Sequence, residues 1–251
     1  MQHQKVLSTQ QQATKSLSSA SIKKQWRLAE QYNNSLIGQP VKDPFVEGSG
    51  AIVPKNYDAI LNVNHDGVMG EIKIPKIKVD LPIGHGTDDK TLEDGAGHTR
   101  QTSLPIGGSS THSLIIAHRG LPRAEMFTRL DELQLGDVFT ITVLDKTLTY
   151  QIDKISVVDP DDLSQISIIK GRDLVTLMTC TPYGVNTQRL LVRGTRIPNQ
   201  SVANTVQPSV TSMGLEGWAR IIGLIIGVVS LLVLMITIIR RIRSRHKTTS
   251  K

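Results

Sequence analysis

Between residues 70 and 197 the apolar residues come in runs too short for helices, and each run is cut by Gly, Pro or Asp. That spacing constrains this part of the chain to strands joined by tight turns. The runs at 70–74, 114–117, 138–143, 148–157, 174–179 and 190–196 are expected strands. The segment 123–130 fits one or two helical turns, with Ala124, Phe127 and Leu130 on one face. Many short strands at such intervals suggest a closed barrel or a sandwich, so the fold class is all-β.

The flanks differ in composition. Residues 1–21 are polar and unpatterned and are expected to be disordered. From Ile22 to Leu36, the residues Trp26, Ala29, Tyr32 and Leu36 recur at near-helical spacing, and Gly38 and Pro40 end that helix. A loop containing Asp43-Pro44-Phe45 completes the segment 22–50, and the barrel is expected over 51–197. Residues 198–217 are rich in Ser, Asn, Gln and Pro and read as a tether.

Residues 221–239 then run for 19 positions without a charge. At 1.5 Å per residue they match the ~30 Å hydrocarbon core of a bilayer, so 218–240 is expected to be a transmembrane helix with Trp218 at the interface. The basic tail 241–251 places the C-terminus in the cytoplasm and the domain before the span outside. No apolar leader follows Met1, so an N-terminal signal segment is expected to be missing from this chain.

The formal net charge of +7 is misleading, because Arg240, Arg241, Arg243, Arg245, Lys247 and Lys251 all lie in the last twelve residues. Without them the rest is near neutral, which argues against a nucleic-acid-binding domain. One cysteine excludes an internal disulfide framework. No metal-ligand cluster or phosphate-cradling glycine loop is visible, and no cofactor is expected.

That cysteine, Cys180, closes the run 174–179, and a turn-rich loop leads to Arg189 at the start of the next run. A hairpin of this kind sets a thiol beside a fixed positive charge, which is one way a cysteine becomes a usable nucleophile. Attack on a carbonyl also needs a proton-transfer partner and donors for the developing oxyanion. Among the seven histidines, His118 stands at a strand end opening into a glycine-containing loop. His98 and His112 fall in Gly/Ser/Thr-rich stretches, His85 reads as a turn residue, and His3 and His246 lie in tails. Arg189 is the natural electrostatic partner. Arg193 shares its face by strand alternation and competes with it, whereas Arg196 does not. A quiet core cysteine in a membrane-tethered binding module remains the other reading of these residues.

The segment Thr176-Leu177-Met178-Thr179-Cys180 resembles the TLxTC signature of sortases, with Arg189 at the position of their arginine and Ala117-His118-Arg119-Gly120-Leu121-Pro122 similar to the context of their histidine. The likeness extends to Thr102-Ser103-Leu104-Pro105, Gly107-Gly108, Thr111-His112-Ser113 and the stretch 127–137, covering roughly 22–197. Asp43-Pro44-Phe45 resembles the lid of class C, pilus-assembling sortases. This resemblance implies an eight-stranded β-barrel with short helices and catalytic residues His118, Cys180 and Arg189. In it, the lid residues Asp43, Pro44 and Phe45 cover the cleft. The implied activity is that of a cysteine transpeptidase of Gram-positive cell surfaces. It cleaves an LPxTG-like sorting signal between Thr and Gly, holds the acyl group as a thioester on Cys180 and passes it to a pilin lysine amine. Anchoring of surface proteins to a peptidoglycan amine is the alternative within the family.

Overall fold

The computed structural model describes residues 2–38, 55–120 and 125–199. The expected lid at Asp43, Pro44 and Phe45, the tether beyond 199, the apolar span and the basic tail lie outside them. No helix among the described residues is long and apolar enough to cross a membrane.

Eight strands form one closed barrel. They are β1 (Val68–Ile74), β2 (Val79–His85), β3 (Ala96–His98), β4 (Thr111–Ile116), β5 (Val138–Val143), β6 (Lys146–Val158), β7 (Asp173–Thr181) and β8 (Gln188–Ile197). Their order around the barrel is β1-β2-β3-β4-β7-β8-β6-β5, and β1 pairs with β5 to close the ring. Two neighbouring pairs are parallel, β2 with β3 and β4 with β7. The others are antiparallel.

Alternation along the strands decides what lies inside. On β5, Phe139, Ile141 and Val143 are buried while the residues between them are half-buried. They join Ile115, Val175, Leu177, Leu190 and Val192 in one continuous core. Gly194 on β8 belongs to that packing: a Cβ there would lie 2.6 Å from the ring of Phe139, which stacks on Tyr150 at 5.5 Å. A second apolar cluster lies on the other face of β4, β7 and β8. It is built from Leu114, Ile116, Met178 and Leu191 with Leu163 and Ile166 of the β6–β7 connection. β7 is therefore covered on both faces, which is why its sequence reads as a continuous apolar run instead of an alternating one.

Two helices precede the barrel. The polar first segment, expected to be disordered, forms α1 (Gln2–Ser16). It is held from outside itself: Leu7 and Gln10 are buried, Gln10 Nε2 donates to Val68 O at 3.2 Å, and Gln4 Nε2 donates to Asp80 Oδ2 at 3.0 Å. Tertiary contacts override its weak sequence pattern. The next helix, α2 (Ser19–Ser35), starts three residues before the expected boundary because Ser18 caps it, accepting from Ser21 N. Its buried face carries Trp26, Ala29 and Tyr32, as expected, and also Asn33. Asn33 acts as a backbone mimic, donating to Leu104 O at 3.1 Å and accepting from Leu104 N at 2.7 Å. A third helix, α3 (Asp89–Asp94), links β2 to β3.

Two strands escape the sequence pattern. Pro82 and Gly84 interrupt β2, and β3 is only three residues long. The helical turns expected over 123–130 are turns through 126–129 and a 3-10 helix at Leu130–Glu132, while 121–124 lie outside the described residues. Phe127 and Leu130 nevertheless both reach the core.

His98 and His112, expected in loops, are strand residues with no exposed surface. His98 Nε2 donates to Ser103 O at 2.9 Å, leaving Nδ1 to accept from Tyr57 OH at 2.9 Å. His112 Nδ1 donates to Ser167 O at 3.0 Å, leaving Nε2 to accept from Thr176 Oγ1 at 2.8 Å. Burial is the main cause that lowers His98 to about 3 and His112 to about 4. Both rings are thus neutral in the folded protein well below the ordinary histidine pKa of about 6.5. The unfolded chain takes up protons there that the folded chain refuses. Stability is therefore complete above about pH 6.5 and is lost as pH falls from there towards 4. The thermal midpoint is expected to drop over that window, and His112→Gln is expected to make the drop shallower.

Candidate active site

Three strand ends meet at one rim of the barrel. On the β7–β8 ladder Cys180 pairs directly with Arg189, so their Cα atoms are about 4.5–5.5 Å apart. On the β6–β8 ladder Arg189 in turn pairs with Val158. The parallel β4–β7 ladder ends at Ile116 opposite Met178. Cys180 stands two residues further along β7. A row joins it to Arg189 on β8 and Val158 on β6, continued by His118, which stands two residues past the end of neighbouring β4. Strand alternation assigns it to the outer face, the same face as Ile116, Met178 and Leu191. All three polar members are half-buried. They flank the cluster covered by the β6–β7 connection.

The backbone around the row is closely tied. Ala117 N donates to Met178 O at 3.3 Å, and the Thr179 hydroxyl donates to Ala117 O at 2.8 Å. The carbonyl of His118 accepts from Phe127 N at 3.0 Å. The β7–β8 connection is a tight turn in which Val185 N and Asn186 N both reach Pro182 O at 3.0 Å. Asn186 adopts positive φ, a conformation asparagine tolerates better than most side chains. Arg189 Nη1 donates to Asn186 O and to Gln188 O, both at 3.3 Å, which links the guanidinium to that turn.

Arg193, the competing guanidinium, is engaged elsewhere. It lies two outer-face positions along β8, opposite Thr176, and its Nε and Nη2 bind Asp153 at 2.8 and 3.1 Å. His85 ends β2 instead of occupying a turn, with its ring nitrogens 2.8 and 2.7 Å from Gly67 O and Ile60 O. His3 lies on α1, and His246 falls outside the described residues.

Sequence reasoning did not single out the contacts of Arg119, next to His118. Its Nη1 donates to Thr181 Oγ1 at 2.9 Å and its Nη2 to Asp131 Oδ2 at 2.6 Å. The guanidinium also stands 5.9 Å from the ring centre of Tyr183. That ring packs on Gly120, where a Cβ would lie 2.8 Å from it. The available signal was a charged residue placed directly after the strand-end histidine.

A closed barrel of eight strands that aligns one thiol with an imidazole-bearing and a guanidinium-bearing strand end defines a cysteine-centred β-barrel protein. The sortase domain model matches residues 72–197, and the chain belongs to the sortase family. Among solved structures, it is similar to sortase C of Streptococcus pneumoniae, with 40% identity, 77% of this chain and 97% of that chain covered, and a TM-score of 0.71. It is also similar to a pilus-related sortase C of Group B Streptococcus, at 45% identity over 75% of this chain and 95% of that one, with a TM-score of 0.68. Sortase D of Bacillus subtilis is 33% identical over 131 residues, which are 51% of this chain and 63% of that protein. The chain thus spans less than two thirds of that curated relative.

Proposed function

We propose that the protein is a class C sortase, a cysteine transpeptidase that joins pilin subunits. The observation that carries this reading is the pairing of Cys180 with Arg189, with His118 two residues past the end of the β4 strand that runs parallel to β7. The likeness to pilus-related sortase C structures supports the choice of pilin as substrate.

The chemistry follows from the three groups. The Cys180 thiolate attacks the Thr–Gly carbonyl of an LPxTG-like sorting signal. His118 as imidazolium gives its proton to the departing glycine amine as the C–N bond breaks, leaving a thioester on Cys180. A lysine ε-amine of the next pilin then attacks the thioester, His118 takes its proton, and the Cys180 thiolate leaves as the isopeptide bond forms. Arg189 holds the substrate carbonyl and the oxyanion that develops at each attack. The thioester conserves the energy of the cleaved peptide bond, so no nucleotide is required.

The apolar segment 221–239 anchors the domain to the extracytoplasmic face of the membrane in this reading. Confining enzyme and substrate to one surface raises their effective concentration. Asp43-Pro44-Phe45 covers the cleft at rest and slows hydrolysis of the thioester. Mass spectrometry of the protein mixed with an LPxTG peptide is expected to show the acyl group on Cys180, formed several-fold faster when Asp43 and Phe45 are both replaced by Ala. Purified pilin is expected to give ladders of covalent multimers. An unmodified Cys180 would sink the acyl-transfer reading. Single adducts to a cell-wall precursor amine, without ladders, would sink the pilin assignment alone.

A further inference from the structure

The geometry points to Arg119 as the positioning residue that sets the spacing of His118 and Cys180, a role that rests on the acyl-transfer reading above. Beyond Ile116 and Met178 the β4–β7 ladder has ended, yet both functional residues lie beyond it. Their neighbours are joined on either side. The residues before them are linked by the Thr179 hydroxyl donating to Ala117 O at 2.8 Å. The residues after them are linked by Arg119 Nη1 donating to Thr181 Oγ1 at 2.9 Å. His118 and Cys180 are thus bracketed by two cross-strand hydrogen bonds, the first made by one side chain to a carbonyl and the second by side chains at both ends.

Three features set this arginine apart from a surface cation. Its side chain is only 7% exposed although it sits in a loop, so it carries a desolvation cost that a residue turned to water would avoid. Its two terminal nitrogens reach in different directions, to Thr181 on β7 and to Asp131 in the 3-10 helix, which a single ammonium could not reproduce at once. Tyr183, packed on Gly120 beside the guanidinium, extends the contact into the β7–β8 turn. Arg119 therefore ties together the segment bearing the imidazole, the strand bearing the thiol and the turn that precedes Arg189.

The test compares Arg119→Met, Arg119→Lys, Thr181→Val, the Arg119→Met/Thr181→Val double variant and Asp131→Asn in the full chain. Turnover is measured with an LPxTG peptide and an amine acceptor. Displacing reacting groups by about 1 Å can cost about 10²-fold, so Arg119→Met is expected to lose about that factor in kcat with KM within about threefold. Thr181→Val is expected to lose about tenfold, and the double variant no more than Arg119→Met alone, because both remove one interaction. Arg119→Lys is expected to recover part of the loss. Asp131→Asn removes the ion pair but leaves the Thr181 contact. It is expected to lower the thermal midpoint while keeping kcat within about threefold, which a purely structural arginine would not do.

Iodoacetamide alkylation of Cys180 reads the same arrangement without any sorting peptide, and is expected to slow about tenfold in Arg119→Met. Wild-type protein that forms no acyl adduct, with alkylation still slowed by Arg119→Met, would overturn the acyl-transfer reading but not the placement of the pair. Equal alkylation rates in wild type and Arg119→Met, or losses in kcat that add for Arg119→Met and Thr181→Val and recur in Asp131→Asn, would overturn the role of Arg119.

Discussion

Cys180→Ala is expected to reduce formation of covalent pilin multimers by about 10³-fold or more, because no other group in the row can hold the acyl intermediate. The fold should tolerate the change. Cys180 is half-buried at the end of β7, and the ladder that places it is made by backbone groups and by the apolar residues before it. Removing one sulfur from a partly exposed position creates little cavity, so the thermal midpoint should move by no more than a loss of about 1 kcal/mol implies. Cys180→Ser should be almost as inactive, since a hydroxyl is far less nucleophilic than a thiolate in the same place. Gel analysis of pilin ladders, with mass spectrometry of the protein to follow the adduct, gives the readout. Multimers formed by Cys180→Ala at more than about a tenth of the wild-type rate would remove the thioester from the mechanism.

Replacement of Arg189 should have the next largest effect. Arg189→Ala is expected to lower kcat/KM by about 10³-fold, in line with loss of donors aimed at a developing oxyanion. Arg189→Lys keeps the charge but not the planar fork, and about 10²-fold of the loss should remain. Arg193→Gln is the informative control. It removes a guanidinium from the same face of β8, but one that binds Asp153 and lies opposite Thr176 instead of Cys180. That variant should lose stability and keep kcat/KM within about tenfold. The reverse pattern, with Arg193 needed and Arg189 dispensable, would transfer the oxyanion role down the strand.

How far the sequence reveals this molecule depends on where each residue finds its partner. The strands β5 to β8 are visible because their apolar runs and turns are local, and Cys180 and Arg189 follow from them as the two ends of one tight connection. By contrast, β2 carries a proline and a glycine that read as interruptions, while β3 is too short to form a pattern. α1 was unreadable for another reason: a leucine and a glutamine supply its buried contacts, and a buried glutamine gives no hydropathy signal. His98 and His112 sit among small polar residues that suggest a loop. Their burial is set by distant groups, such as Thr176 for His112 and Tyr57 for His98. His118 was legible as the end of an apolar run, but the parallel β4–β7 ladder that leads towards it and Cys180 is a pairing that no local pattern encodes. The Arg119–Thr181 contact was hidden in the same way.

The pairing of β1 with β5 has a consequence for the proposed work on extended peptides. An open sheet would offer a template of unsatisfied amides to any passing strand, including one from a neighbouring copy. Joining the first strand to the fifth withdraws that template. Under the proposed function, a tail awaiting cleavage would then be gripped by side chains across the wall rather than stitched on as one more strand, and a builder of fibres would be kept from being woven into one.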